Sequence, residues 1–295
     1  MPFRVVHAGG TTNLKRHLRD KLGIGTEPPP AGRSHRLKVF PSLATLSEAT
    51  GGKTIVSGLP FSAHDHGING LVFLNDGNLL NSAGGQTNAG IPAEKLGFVG
   101  ASPLSGAIVH AAISKPNLNG AIKYDKMKDE SKARKVSGDV RVYATGSRNS
   151  FEMVLHTNGH VYATENGPSD GYGGRSLSCT LKSQAGQKDI DKLLEIVDGK
   201  SFSHPNRNRG RDSPIQCKHF PTSSGPAPGC KQPMTTLPTS TDCLLEWTLN
   251  LFPSLRGNLL PYKFAPSFIG QVLRLELTPS ERGVSRQDMM RYVSE

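Results

Sequence analysis

Two stretches of this chain are versions of one another. Set GLVFLNDGNLLNSAGG (Gly70 to Gly85) above EMVLHTNGHVYATENG (Glu152 to Gly167). Val72 then falls on Val154, Phe73 on Leu155, Gly77 on Gly159, Leu79 on Val161, Ser82 on Thr164 and Gly85 on Gly167. Each copy reads as an apolar strand, an Asp-Gly or Asn-Gly turn, a second apolar strand and a Gly-containing loop. Those dipeptides supply the positive φ that a tight hairpin needs. A weaker third copy is CLLEWTLNLFPSLRGNLLPYKF (Cys243 to Phe264), with Arg256-Gly257 near its turn. Hairpins repeated at wide spacing, with no helical period between them, predict an all-β chain and point to a β-propeller. A β-sandwich owning two similar hairpins stays open on this pattern alone.

Composition agrees with an all-β reading. The 295 residues include 33 glycines and 21 prolines, so turns must be frequent. No apolar run reaches 18 residues, so no helical membrane span is expected. The net charge of +11 suits nucleic acid, an anionic membrane or an anionic small ligand. Basic residues are spread along the chain, aromatics are 6%, and no RNP-like or finger-like pattern occurs, so nucleic-acid binding is not expected.

Residues 1–40 share none of the repeat and read as a basic tail. Leu14, Leu18 and Leu22 among Lys15, Arg16, Arg19 and Lys21 fit a short amphipathic helix there. Residues 41–295 then form the propeller unit. Lys123 to Asp139 reads as a charge-mixed, solvated connection, and Asp189 to Lys200 as a short helix or a strand. Residues 204–240 read as a loop-rich insertion without apolar period. Cys179, Cys217, Cys230 and Cys243 form no C-x-x-C pair, so zinc is not expected. Four thiols are the favoured reading, with one disulfide among the last three as the alternative. MPFRVVHAGG lacks the apolar core of a signal peptide, and no localisation is read.

The loops beside the hairpins carry chemistry-bearing residues. Before the first lie His64, Asp65, His66 and Gly67. Before the second, YATGSRNS places Arg148 and Asn149; after it comes ENGPSDGYGG, and Lys263 ends the third. The DHG loop, the G-x-R-N before a hairpin, the N-G-P after it and HPNRNRG together resemble the glucose/sorbosone dehydrogenase family, over roughly residues 50–278. These are soluble quinoproteins with a six-bladed β-propeller, typically extracellular or periplasmic, that hold pyrroloquinoline quinone (PQQ) and calcium. A hedgehog-interacting protein shares the propeller without being known for catalysis.

The resemblance implies a sugar dehydrogenase that passes a hydride to PQQ and then to an unknown electron acceptor. By similarity His66 is the base, with Asp65 beside it in the loop, while His64 is a surface residue. Arg148, Asn149 and Lys263 match the cofactor-contacting positions. Gly167 and Pro168 carbonyls match a calcium site, with Glu165 and Asp170 nearby and read as solvated. The residue types suit that chemistry: imidazole titrates near neutrality, guanidinium and ammonium attract carboxylates, and calcium takes hard oxygen ligands.

Three departures from the family pattern stand out. Gly85 takes the place of the carboxylate that orients the base, so His66 is expected to be weaker and less fixed in tautomer. The chain stops near where the last blade would begin, and the residues before Leu37 do not read as a full first blade. About four to five blades are therefore expected, as in a truncated or divergent relative. The alternative function is a catalytically silent propeller that binds a protein or glycan.

Overall fold

The computed structural model describes residues 4–7, 35–40, 53–60, 62, 66–126, 133–209, 214–224, 227–264, 270–280 and 283–290. His64, Asp65 and the helix expected near Leu18 lie outside them. Among the described residues the architecture is all-β apart from 3₁₀ turns. Strands β1 (Arg4–His7), β2 (His35–Phe40) and β3 (Lys53–Leu59) pair antiparallel in a three-stranded sheet. The segment read as a tail thus contributes two strand backbones.

The first four-stranded blade holds β4 (Ile68–Phe73), β5 (Leu79–Ala83) and β6 (Ala107–Ala111). After an excursion through the hairpin β7 (Lys123–Asp125) and β8 (Arg134–Ser137), β9 (Val140–Thr145) completes it. The second blade starts with β10 (Ser150–Leu155) and β11 (Val161–Glu165). The side hairpin β12 (Gly174–Ser176) and β13 (Lys182–Gly186) follows, then β14 (Asp191–Ile196) and, within the loop-rich stretch, β15 (Thr235–Leu237). The third comprises β16 (Thr241–Glu246), β17 (Leu259–Lys263), β18 (Gln271–Leu277) and β19 (Val284–Met289). Three four-stranded blades and the three-stranded sheet agree with the expected four to five. The Asp189 to Lys200 stretch is strand, not helix.

The repeat survives at the level of single hydrogen bonds. Leu74 N–H donates to Asn78 O at 2.9 Å and Gly77 N–H to Leu74 O at 2.9 Å. In the second copy His156 N–H donates to His160 O at 2.9 Å and Gly159 N–H to His156 O at 2.8 Å. Asp76 and Asn158 each accept, through Oδ1, the backbone N–H two residues on. Gly77 and Gly159 have φ of 79° and 87°, the left-handed region that a Cβ disfavours.

Each blade buries its faces against the next. Val56 and Leu59 of β3 pack with Ile68, Leu79 and Val109 of the first blade. Leu80, Ile108 and Ala144 then meet Met153, Ala163, Leu194 and Ile196 of the second. Tyr162 and Leu193 meet Leu244, Leu259 and Leu275 of the third. Strands β4, β10 and β16 lie side by side across these junctions. A Cβ on Gly70 would stand 2.7 Å from Met153 N, so β4 and β10 approach this closely only because residue 70 has no side chain.

Cys179 and Cys217 form a disulfide, which corrects the favoured reading of four thiols; Cys230 and Cys243 are free. The pairing also differs from the alternative, since it reaches back to the turn between β12 and β13. Arg207 reinforces that corner, donating to the Ser178 carbonyl at 2.6 Å, to Ser176 Oγ at 2.9 Å and to the Cys179 carbonyl.

Candidate active site

His66 stands two residues before β4, and Arg148 two residues before β10. They occupy the same position of the repeat, so the propeller brings both to one end of adjacent inner strands. A cavity of about 350 Å³ opens there, lined by His66, Arg148, Asn149, Gly167 and Pro168 among others. Five of the seven residues singled out from the sequence therefore share one cavity. Lys263 is not in its lining. It ends β17 opposite Thr241, one strand farther out, with Nζ 3.4 Å from Gln271 Oε1. Asp65 lies outside the described residues.

His66 is 3% exposed, and its Nδ1 donates to the Gly85 carbonyl at 2.6 Å. A carbonyl oxygen only accepts, so Nδ1 carries a proton, and whenever the ring is neutral its lone pair is on Nε2. The expectation of a loosely held tautomer is thereby corrected, because a backbone oxygen serves where a side chain is missing. No side chain fits at 85: a Cβ would lie 2.8 Å from His204 Nε2 and 3.2 Å from Arg148 O. The His204 ring fills that space, and burial pushes its pKa well below the ordinary histidine value, so it stays neutral.

Arg148 is 5% exposed, and its guanidinium is held in a fixed pose. Nε donates to the Asn88 carbonyl at 3.1 Å, one terminal nitrogen to Asn88 Oδ1 at 2.8 Å, and the other to the Asn166 carbonyl at 3.3 Å. Asn149 spans two blades, accepting from Asn69 at 2.8 Å and donating to Asn166 Oδ1 at 3.0 Å. Glu165, read as solvated, is instead 4% exposed and enclosed by donors, whereas Asp170 is exposed at the cavity rim.

Sequence reasoning missed two buried carboxylates in the lining, Asp191 and Asp242. Asp191 accepts the Gly167 N–H at 2.9 Å and the Thr241 N–H at 3.0 Å, and Asp242 accepts from Asn166 Nδ2 at 2.8 Å. Burial, then the like charge of Asp191, raises the Asp242 pKa to about 6; burial raises Asp191 as well. No motif marks them: Asp191 opens β14 and Asp242 is the second residue of β16, and the fold selects their neighbours.

With Asp170 and Asp189, four carboxylates line the cavity against the two cations Arg148 and Lys188. Such a lining takes an anionic ligand only if a cation accompanies it. Oxygen donors for a hard divalent cation are present in Asp191, Asp242 and the Gly167 and Pro168 carbonyls, the last also accepting the Asp189 N–H at 3.0 Å. Among the described residues, no group of three or more His, Cys, Asp or Glu side chains is arranged as a metal site. The lining thus offers oxygen donors to a cation and the Arg148 guanidinium to an anion.

No protein-family model and no curated protein sequence matches the chain. Solved structures do. A glucose dehydrogenase superposes with a TM-score of 0.54 at 19% identity, over 89% of this chain and 66% of its own. A soluble aldose sugar dehydrogenase from Escherichia coli, in its apo form, gives 0.54 at 17% identity over 89% and 65%. The PQQ domain of a pyranose dehydrogenase from Coprinopsis cinerea, in its holo form, gives 0.51 at 13% identity over 90% and 64%. The chain has the sugar dehydrogenase β-propeller fold. It spans just under two thirds of the length of these neighbours, so the propeller described above corresponds to part of theirs.

Proposed function

We propose that the cavity is the site of a PQQ-dependent oxidation of a sugar hydroxyl. The observation that carries this reading is the convergence of His66, Arg148, Asn149, Gly167 and Pro168 on one cavity, from loops as far as 102 positions apart. Arg148 and Asn149 would hold PQQ, with Lys263 a further contact that requires its side chain to swing inward. Gly167, Pro168, Asp191 and Asp242 would hold calcium. When bound, PQQ supplies a two-electron acceptor for the hydride that leaves the carbinol carbon. His66 takes the hydroxyl proton at Nε2, and the carbinol becomes a carbonyl. A natural acceptor then has to reoxidise the quinone, and its identity is open to assay.

The test is titration of the protein with PQQ and calcium, followed by aldoses and an artificial electron acceptor. His66→Ala is expected to keep cofactor binding while losing about 10²–10⁴-fold in turnover, the usual span for removal of a general base. Arg148→Ala is expected to weaken PQQ binding. Failure of the wild-type protein to bind PQQ with calcium would overturn the enzyme reading and leave the silent, partner-binding propeller.

A further inference from the structure

Glu165 ends β11, and its carboxylate is closed in by three donors. Oε1 accepts the Arg148 N–H and, at 3.3 Å, the Asn149 N–H; Oε2 accepts the Ser150 hydroxyl at 2.6 Å. The peptide unit between Arg148 and Asn149 is therefore held at its N–H end by a carboxylate. Its carbonyl end accepts the Gly85 N–H at 2.6 Å. Gly85 in turn offers its own carbonyl to His66 Nδ1, also at 2.6 Å. One chain of hydrogen bonds thus runs from β11 in the second blade to the loop before β4 in the first.

Each link is confined. The Arg148–Asn149 peptide is planar and conjugated, so an acceptor at its N–H end, here at 3.3 Å, makes its carbonyl a better acceptor at the other, while the shorter bond from the Arg148 N–H anchors the same residue from the preceding peptide. Gly85 is closely packed, because His204 Nε2 and Arg148 O would stand 2.8 and 3.2 Å from a Cβ placed on it. Gly84 is fixed as well: its N–H donates to Gly67 O at 2.8 Å, and a Cβ there would meet His66 Cβ at 2.8 Å.

We propose that Glu165 is a positioning residue for His66. Its carboxylate fixes the Arg148–Asn149 peptide, the peptide fixes Gly85, and the Gly85 carbonyl selects the Nδ1–H tautomer that leaves Nε2 basic. The carboxylate that orients the imidazole is thus present, displaced to the neighbouring blade and acting through backbone. The catalytic meaning rests on His66 being the base; the tautomer does not depend on any bound cofactor.

The test reads the ring directly. In ¹⁵N-histidine-labelled protein without cofactor, above the imidazole titration range, His66 is expected in the Nδ1–H form. Glu165→Met keeps length and burial but removes the acceptor. It is expected to shift the tautomer ratio at least about tenfold toward Nε2–H, the equivalent of losing one net hydrogen bond. Glu165→Gln retains an acceptor and is expected to retain the tautomer, while the Gly85 amide exchanges about tenfold faster, since neutral acceptors are roughly half as strong. A wild-type Nε2–H ring overturns the proposal, as does an unchanged ratio in Glu165→Met. Should that variant not fold, an unchanged Gly85 exchange rate in Glu165→Gln overturns it alone. PQQ titration of the same wild-type sample separates failure of the enzyme reading from failure of this one.

Discussion

Around Gly85 one absent side chain reorganises its neighbours. His204 takes the volume, the backbone carbonyl accepts the His66 Nδ1–H, and the Glu165 carboxyl holds the Arg148 backbone that Gly85 pairs with. The sequence shows that a carboxylate is missing at 85, but it does not show what replaces it, because the replacements lie 80 and 119 positions away. Asp242 carries a prediction at the same scale. Its folded pKa of about 6 exceeds the ordinary 3.8, because burial and Asp191 disfavour the charged form. The folded state therefore binds more protons than the unfolded one between those values, and stability falls as pH rises through that window. Asp242→Asn is expected to be more stable than wild type by ~2 kcal/mol at pH 7.5 in chelator-treated buffer. The difference should vanish near pH 3.5; denaturant unfolding at the two pH values checks both the sign and the window.

Among elements, the hairpins were the most legible. Asp76-Gly77 and Asn158-Gly159 combine a side-chain acceptor with a residue tolerant of positive φ, and both needs are local. The side hairpin of β12 and β13 was not legible, since strands as short as GRS and KSQAG carry no apolar alternation. Its tie to the loop after β14 was no more so. The disulfide joins residues 38 apart, and pairing among four cysteines depends on which loops the blades bring together. Replacing both Cys179 and Cys217 by Ser is expected to cost ~2–4 kcal/mol in equilibrium unfolding, mainly by freeing the unfolded chain. A loss confined to the β12–β13 hairpin, with no change in global midpoint, would show that this corner unfolds independently.

For the molecule as a whole, stability resides in the junctions between blades. Leu194 is 1% exposed and packs across the junction of the first and second blades, whereas Leu249 is 59% exposed. Leu194→Ala is expected to cost ~2–5 kcal/mol, as buried leucines do. Leu249→Ala should stay within about 0.5 kcal/mol, as most surface changes do. Chemical denaturation of the two variants side by side is the check. Equal effects would mean that the blades do not lean on one another as described.

What the sequence determined by itself is the repeating unit: turn glycines, strand alternation and the loop residues set at one offset from each hairpin. These follow from steric and hydrogen-bonding preferences that act over a few neighbouring residues. Tertiary structure alone decided that Asp191 and Asp242 join the cavity, that Lys263 stays out of its lining, and that Glu165 is buried behind His66. Those outcomes depend on how blades rotate and pack about a common axis, so no short stretch of chain contains them.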